Sequence, residues 1–194
     1  MEIGKPKKTK VVYKIKEELV GSVQHPVSDL LVLAAKSGAW SFVDLAVMKE
    51  VLRVNPFSDK KVGFSCVALH PDGEYLASGA TNGMIAIWGI TENELAVEFQ
   101  AHKNPVTSLA FSERGRYFAS ADSKTNEVKI WDLGDLEQGH TIQLQKGFVV
   151  KDLSFDPSGF FLAVSGKHIL LFEEKGWKNF AKIDCHQKAV TSVR

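Results

Sequence analysis

A unit of about forty residues recurs along the chain, and its two clearest copies run from Phe64 to Ile90 and from Val106 to Leu133. Each copy begins with an apolar run, continues through HPDGEYLASG or SERGRYFASA, and ends on MIAIWGI or VKIWDL. The turn glycines Gly73 and Gly115 are 42 residues apart, and the apolar, tyrosine and serine positions around them keep the same spacing. Self-similarity at a period of about 40–45 residues predicts a repeated four-stranded unit.

Two less regular copies flank this pair. The copy at 19–54 has Val43 where the clear copies have tryptophan, and the copy at 148–183 has Phe172 there and Val164 in place of serine. The segment HQKAVTSVR, from His186 onward, repeats HKNPVTSL from 84 residues earlier, so a fifth unit begins there. Because a β-domain that stopped at this point would leave an unpaired edge, we expect the chain to be part of a longer protein.

Short strands with turns every eight to twelve residues, and no helical periodicity, predict an all-β fold. A four-stranded unit is too small to bury both of its faces, so the fixed period favours blades that stack on their neighbours in a β-propeller. We predict a propeller arc over 11–194, preceded by an exposed basic lead-in at 1–10. The blades are expected at roughly 19–54, 62–100, 104–145 and 148–183, with the first strand of another at 186–194.

Composition argues against several other classes of protein. The 24 basic and 23 acidic residues give a net charge of +1, which offers no argument for a nucleic-acid-binding or membrane-surface protein. Cys66 and Cys185 lie in no CxxC pair and are too few for a disulfide framework, which suits a reducing compartment. The sequence contains no run of 18 consecutive apolar residues, so no membrane span is predicted.

The motifs resemble the WD40 repeat, whose blades carry a buried hydrogen-bond network. That network joins a histidine before the first strand, a serine in the second and a tryptophan in the third, which an aspartate follows. The residues that match it here are His102, Ser120, Trp131, Asp132, Ser78, Trp88 and His186. The aspartate that the family usually has in the preceding turn finds no match in 123–126, and Asn82 stands at that place in the preceding copy.

The order of regular and irregular copies is more specific than any single motif. From about residue 17, WSFVDL, FSCVALHPDG, IWGITENELAVEFQAHKNPVTSLAFSERGRYFASA, VKIWDL and VKDLSFD follow one another as in the C-terminal propeller of the pre-mRNA-processing factor nineteen family, which this chain resembles. Those proteins are splicing-associated U-box ubiquitin ligases with a tetramer-forming coiled coil and a seven-bladed propeller. The resemblance implies a partial arc of such a propeller, without the U-box or the coiled coil.

The function that this resemblance implies is that of a nuclear WD40 scaffold. It would bind spliceosomal proteins and ubiquitination substrates in mRNA processing, the ubiquitin conjugation pathway and DNA repair. Family members transfer ubiquitin through the U-box, so whether this chain belongs to an enzyme stays open, and no cofactor, nucleic acid or membrane contact is expected. The alternative is a WD40 scaffold of another pathway, such as a ubiquitin-ligase substrate receptor or a chromatin-complex subunit.

Sites with chemistry of their own find little support in the sequence. Cys66, His70 and Asp72 suggest a nucleophilic triad, but they lie in one strand and turn with no oxyanion group marked, so a buried thiol is the better interpretation. Cys185 and His186 have no second ligand pair at metal spacing, so no metal is predicted. No phosphate-binding glycine motif is present.

The loops between blades are expected to carry the contacts with partners. Lys103, Asn104, Arg114 and Arg116 are polar or charged and lie in such connections. Loops on a rigid scaffold commonly bind partners. The sequence identifies no particular partner-binding residue.

Overall fold

Sixteen β-strands and no helix make up the part of the chain that the computed structural model describes, which is residues 15–57, 59, 61–134, 138–184 and 188–193. The strands form four four-stranded sheets in which the order in space follows the order in the chain. All neighbouring strands pair antiparallel, so each sheet is a meander of the kind found in propeller blades. The predicted all-β WD40 fold is confirmed.

The strand bounds are as follows. Blade one consists of β1 (Leu19–Gln24), β2 (Leu30–Ala35), β3 (Trp40–Asp44) and β4 (Lys49–Val54), and blade two of β5 (Phe64–Leu69), β6 (Tyr75–Ala80), β7 (Met84–Gly89) and β8 (Glu94–Gln100). Blade three consists of β9 (Val106–Phe111), β10 (Tyr117–Asp122), β11 (Glu127–Asp132) and β12 (Gln138–Gln143), and blade four of β13 (Asp152–Phe155), β14 (Phe161–Ser165), β15 (Ile169–Glu173) and β16 (Lys178–Ile183). The sequence predicts the last strand of blade three at Thr141–Leu144, but pairing of β12 with β11 extends to Gln138 through an irregular register.

The meander sends each blade's connections to two opposite faces of the arc. We call turn face the side with the connections between first and second strands and between third and fourth strands. We call loop face the side with the turns between second and third strands and the connections from blade to blade. The first strands β1, β5, β9 and β13 contact one another in sequence and line a shared concave groove.

The core consists of apolar layers between successive blades. The layer between blades one and two contains Trp40, Phe57, Phe64 and Trp88, with Trp40 and Phe57 fully buried. The ring of Trp40 lies 5.3 Å from that of Phe64 and 5.9 Å from that of Trp88. An irregular blade therefore keeps a tryptophan in its core although Val43 occupies the usual position. A buried side chain of this kind contributes about 1.5–3 kcal/mol.

Side chains on the turn face connect each blade to the next. The Nε2–H of His25 in blade one donates to the carbonyl of Gly73 in blade two, at 3.1 Å, and His70 lies 3.4 Å from the carbonyl of Gly115 in the same way. These glycines have φ values of 82° and 67°, and a Cβ on Gly73 would lie 2.2 Å from the His25 ring. Glycine is therefore needed there both for its positive φ and for the close approach of the histidine.

The same contact recurs between blades three and four with a different side chain. Arg114 donates from Nε to the carbonyl of Ser158 at 2.8 Å, and its guanidinium carbon lies 3.8 Å from the centre of the Phe160 ring. A Cβ on Gly159 would lie 2.9 Å from Arg114. Between blades three and four, an arginine therefore makes the contact that a histidine makes at the two earlier blade boundaries.

Residues 188–193 follow blade four, where the sequence predicts the first strand of a further blade. The structure assigns them no strand, but the N–H of Val190 donates to the carbonyl of Gly166 at 2.7 Å. Asp152 at the start of β13 accepts from the hydroxyl of Ser192 and the N–H of Val193, both at 3.0 Å. The segment is therefore held against the first strand of blade four. Residues 185–187 and 194 lie outside the described residues.

Candidate functional site

A hydrogen-bonded network is buried in blade three. His102 precedes β9, Ser120 lies in β10 and Trp131 lies in β11, so the fold brings together residues from three parts of the repeat. The indole Nε1–H of Trp131 donates to the Ser120 hydroxyl at 2.9 Å, and that hydroxyl lies 2.8 Å from His102 Nε2. Since the hydroxyl oxygen accepts from Trp131, its proton is free to be donated to His102.

The acidic member of this network is Asp122. Its side chain and that of His102 are each 1% exposed, and Oδ2 of Asp122 lies 3.7 Å from His102 Nδ1. Its Oδ1 accepts from the N–H groups of Lys124 and Thr125, at 2.9 and 2.6 Å. Burial alone would raise the pKa of Asp122, but these N–H donors outweigh it and hold the pKa below its usual value.

Asp122 corrects two sequence-based expectations. The family pattern predicts the acidic member in the turn 123–126, whereas the residue found in the network is the last one of β10. Asp132, which the sequence pattern assigns to the network, lies apart from it: its carboxylate accepts from the N–H of Gly134 at 3.0 Å and lies 3.4 Å from Arg116 Nε. The signal for Asp122 was its position two residues after Ser120, because side chains two apart on a strand share a face.

The His102 ring is neutral near pH 7. Burial lowers its pKa, the positive charge of Lys129 lowers it further and Asp122 raises it, which leaves it at about 4. In the neutral ring, Nε2 accepts from the Ser120 hydroxyl and Nδ1–H faces Asp122. The arrangement fixes side chains and offers no reactive group to solvent.

Acid is expected to destabilise the fold through His102. The unfolded histidine binds a proton near pH 6.5, whereas the folded one does so only near pH 4, so the unfolded state gains protons first as the pH falls. The contribution of neutral His102 to the free energy of unfolding is fully present above pH 6.5. About 3 kcal/mol of it is lost as the pH falls to 4. Urea unfolding between pH 7 and pH 4 should show a shallower pH dependence in His102→Gln than in the wild type.

His140→Gln is the matched control, because His140 is an exposed histidine on β12. It should keep the wild-type pH dependence. An unchanged slope in His102→Gln would contradict a neutral buried histidine.

The equivalent positions in blade two form no such network. Ser78 Oγ and Trp88 Nε1 are both buried and have no hydrogen-bond partner among the described residues, and the same holds for Trp40 Nε1. Trp88 instead packs edge-on against Trp40, with an interplanar angle of 74°. Because no histidine precedes the first strand of this blade, the two polar groups stay unpaired, and apolar packing holds this part of the blade. His186, the matching residue of the fifth unit, lies outside the described residues.

Cys66, His70 and Asp72 do not form a catalytic triad. His70 Nδ1 lies 2.6 Å from Asp72 Oδ1 within one turn, and the Cys66 thiol is directed away from them, to the carbonyl of Val106 at 3.7 Å. Four residues of strand separate Cys66 from His70 by roughly 13 Å. Burial raises the pKa of the Cys66 thiol to about 12, so the nucleophilic thiolate is not populated at neutral pH.

The described residues contain neither a metal-ligand cluster nor a membrane-spanning helix. No three His, Cys, Asp or Glu side chains of the described residues come together as metal ligands would. Among those residues there is also no helix with the length and apolar character needed to cross a membrane. The Cys185 and His186 pair lies outside this part of the chain.

The four loop residues that the sequence predicts to face partners differ in whether they contact other side chains of this chain. Asn104 donates to Asp122 at 3.2 Å, Arg114 is held by Ser158 and Phe160, and Arg116 lies beside Asp132 and over the Tyr117 ring. Lys103 is exposed on the loop face and forms no ion pair with another described residue. Three of the four therefore have structural roles.

These features define a chain of WD40 blades, and comparison with known sequences agrees with that class. The family described as WD domain, G-beta repeat matches residues 52–89 and 93–132, which cover blade two and most of blade three. The same class therefore follows from the fold, the buried network and the repeat match.

Within the class, the chain is similar to pre-mRNA-processing factor 19. It is 31% identical to the protein of that name from Oryza sativa subsp. japonica over 150 residues, which are 77% of this chain and 28% of that protein. It is 33% identical to the one from Bos taurus over 185 residues, 94% of this chain and 36% of that protein. The predicted resemblance to a partial WD40 region of this factor is confirmed, and the chain spans about a third of these relatives' length.

A further relative has a different name. Periodic tryptophan protein 2 from Saccharomyces cerevisiae is 28% identical over 136 residues, which are 68% of this chain and 14% of that protein. This similarity extends over less of the chain than that to the Bos taurus protein.

Proposed function

We propose that this chain is the partner-binding propeller region of a pre-mRNA splicing factor and acts in the nucleus. The observation that supports this most strongly is the 33% identity to pre-mRNA-processing factor 19 over 94% of the chain, because it includes the irregular first and fourth blades. Generic WD40 similarity would be concentrated in the regular blades, as the repeat match at 52–89 and 93–132 is.

The mechanism of such a region is multivalent binding. Layers such as the Trp40, Phe64 and Trp88 cluster hold the blades rigidly, so the loops on both faces are presented in fixed positions. Several weak contacts on one rigid surface add up to a specific interaction, and no step of covalent chemistry is needed.

In a full-length protein of this kind, the propeller would select what the ubiquitin ligase modifies. A U-box elsewhere in the protein would transfer ubiquitin, a coiled coil would assemble the tetramer, and the propeller would bring spliceosomal proteins or ubiquitination substrates to it. A role in DNA repair would use the same binding surface with other partners. Each of these activities is inferred from the family resemblance and would belong to the whole protein.

Affinity capture tests the proposal. The tagged chain is incubated with nuclear extract of its source organism, and the bound proteins are quantified against a WD40 propeller of unrelated function with the same tag. We expect proteins of pre-mRNA processing to be enriched about tenfold or more over the control. Enrichment of chromatin or ubiquitin-receptor subunits without splicing proteins would favour the alternative scaffold and overturn the proposal.

A further inference from the structure

The near-zero net charge hides an uneven distribution of charge between the two faces of the arc. On the turn face, acidic residues in the connections outnumber basic ones: Asp29, Asp72, Glu74, Glu92, Glu113, Asp156 and Glu174 against Arg114, Arg116 and Lys175. On the loop face of blades three and four the sign is reversed. Fields of one sign over a surface of this size steer partners of the opposite sign.

Six lysines make up what we call the basic face. They are Lys103, Lys124, Lys146, Lys151, Lys167 and Lys188, and all six are exposed. They come from the blade-to-blade connections 101–105 and 144–151, the turns 123–126 and 166–168, and the segment after β16. None of them forms an ion pair with another described residue.

The acidic groups near this face are already engaged. Asp122 is buried against His102, and Asp184 pairs with Lys182 at 3.0 Å. Asp152 accepts from the hydroxyls of Ser108 and Ser192, at 3.2 and 3.0 Å. Glu127, at the start of β11, is half-buried.

The lysines converge on a groove at blade four. Lys151, Lys167 and Lys188 line a depression of about 240 Å³ together with Gly147, Ala189, the exposed side chain of Val149 and the carboxylate of Asp184, which is paired with Lys182. Burial lowers the pKa of the neighbouring His168, and the charges of Lys182 and Lys167 lower it while that of Asp184 raises it. An anionic group entering the groove would meet three ammonium groups, one carboxylate that is already paired with Lys182, and a small apolar surface.

The chemistry of this face favours a protein partner over a nucleic acid. Proteins that bind single strands combine positive charge with aromatic rings or arginines that stack on bases. Among the described residues, the exposed large aromatic side chains are Tyr75, Phe160, Phe161 and Phe180, and all four lie toward the turn face, in strands that start there or in the connection before β14. Arg114 and Arg116 are also on the turn face, and Arg53 pairs with Glu17.

We propose that the basic face of blades three and four binds an acidic segment of a partner protein, with Asp and Glu carboxylates against the six lysines and an apolar side chain against Val149. This inference names the chemistry of one partner and so rests on the proposed scaffold function. The segment binds in extended form along the loops from blade three to blade four, and its affinity falls with added salt.

Fluorescence anisotropy with a labelled peptide of about twelve Asp- and Glu-rich residues tests the inference on the purified chain. We expect saturable binding that weakens about tenfold between about 50 and 300 mM salt. The variant Lys151→Glu/Lys167→Glu/Lys188→Glu should bind the peptide with an affinity at least about tenfold lower than that of the wild type. The matched control Lys49→Glu/Lys175→Glu/Lys178→Glu makes the same change of net charge near the turn face and should bind within about twofold of wild type.

Three outcomes overturn the inference. They are the absence of saturable binding, equal losses in both triple variants, and tighter binding of a uridine-rich RNA at the same lysines. Thermal melts establish that each variant is folded, and single reversals at the same three positions replace a triple variant that is not.

Affinity capture separates this inference from the proposed function. If the Lys151/Lys167/Lys188 variant loses the peptide but still captures splicing proteins, the basic face is a peptide site and those proteins use other surfaces. If wild type binds the peptide but captures no splicing proteins, the basic face stands and the proposed function fails.

Discussion

A Gly83→Ala variant is expected to lose on the order of 4 kcal/mol of unfolding free energy. Gly83 lies in the turn between β6 and β7 with φ of 87°, a conformation that side chains other than glycine rarely adopt. A Cβ there would lie 2.1 Å from the carbonyl oxygen of His102, which is backbone and cannot rotate away. The added methyl must therefore displace the connection that carries the His102 network, and urea unfolding followed by circular dichroism measures the loss.

Gly147→Ala is the matched control for this variant. Gly147 has a similar φ of 83°, but a Cβ built on it meets nothing within 4 Å. Its substitution should cost only the backbone term, about 1–2 kcal/mol. Equal losses in the two variants would show that the close approach of blade connections contributes nothing beyond φ.

A Ser120→Ala variant is expected to lose about 3 kcal/mol, because one hydroxyl serves two buried partners. Its removal leaves the Nε1–H of Trp131 and the Nε2 of His102 without partners in a site where neither reaches water. An unsatisfied buried polar group costs about 1–3 kcal/mol, so the two together exceed the cost of an ordinary serine substitution. The urea midpoint of unfolding measures this effect.

Ser78→Ala makes the same chemical change in blade two and serves as the control. The Ser78 hydroxyl is fully buried and has no hydrogen-bond partner among the described residues. Removing it should change stability by less than about 0.5 kcal/mol or increase it, since a buried unpaired hydroxyl is itself unfavourable. Comparable losses from both serines would contradict the assignment of the network to blade three.

Much of the fold could be predicted because the repeat constrains it strongly. The spacing around Gly73 and Gly115 determines strand length, turn position and the number of strands in a blade. Their positive φ values follow from the tight turns that the sequence indicated. The neighbours of these glycines could not be predicted, because His25 and His70 reach them from the preceding blade, 48 and 45 residues away in sequence.

The buried network was only partly predictable. His102, Ser120 and Trp131 stand at the positions that the family resemblance implies, and the structure places them within hydrogen-bond distance of one another. The position of Asp122 could not be predicted, because the family pattern places the aspartate in the turn and here it is the last residue of the strand before that turn. Ser78 and Trp88 satisfy the same sequence pattern without forming a bond, since the pattern records residue types and not donor and acceptor geometry.

The period of the sequence alone determined that this chain forms blades, because strand and turn preferences are local and each unit repeats them. Only the tertiary structure decided how charge is distributed, because successive turns of a meander lie at opposite ends of strands about 20 Å long. Residues close in sequence, such as Lys124 and Arg116, thereby reach opposite faces, while Lys103 and Lys188 reach the same one. A net charge of +1 thus became one acidic face and one basic face, and composition contains no trace of that separation.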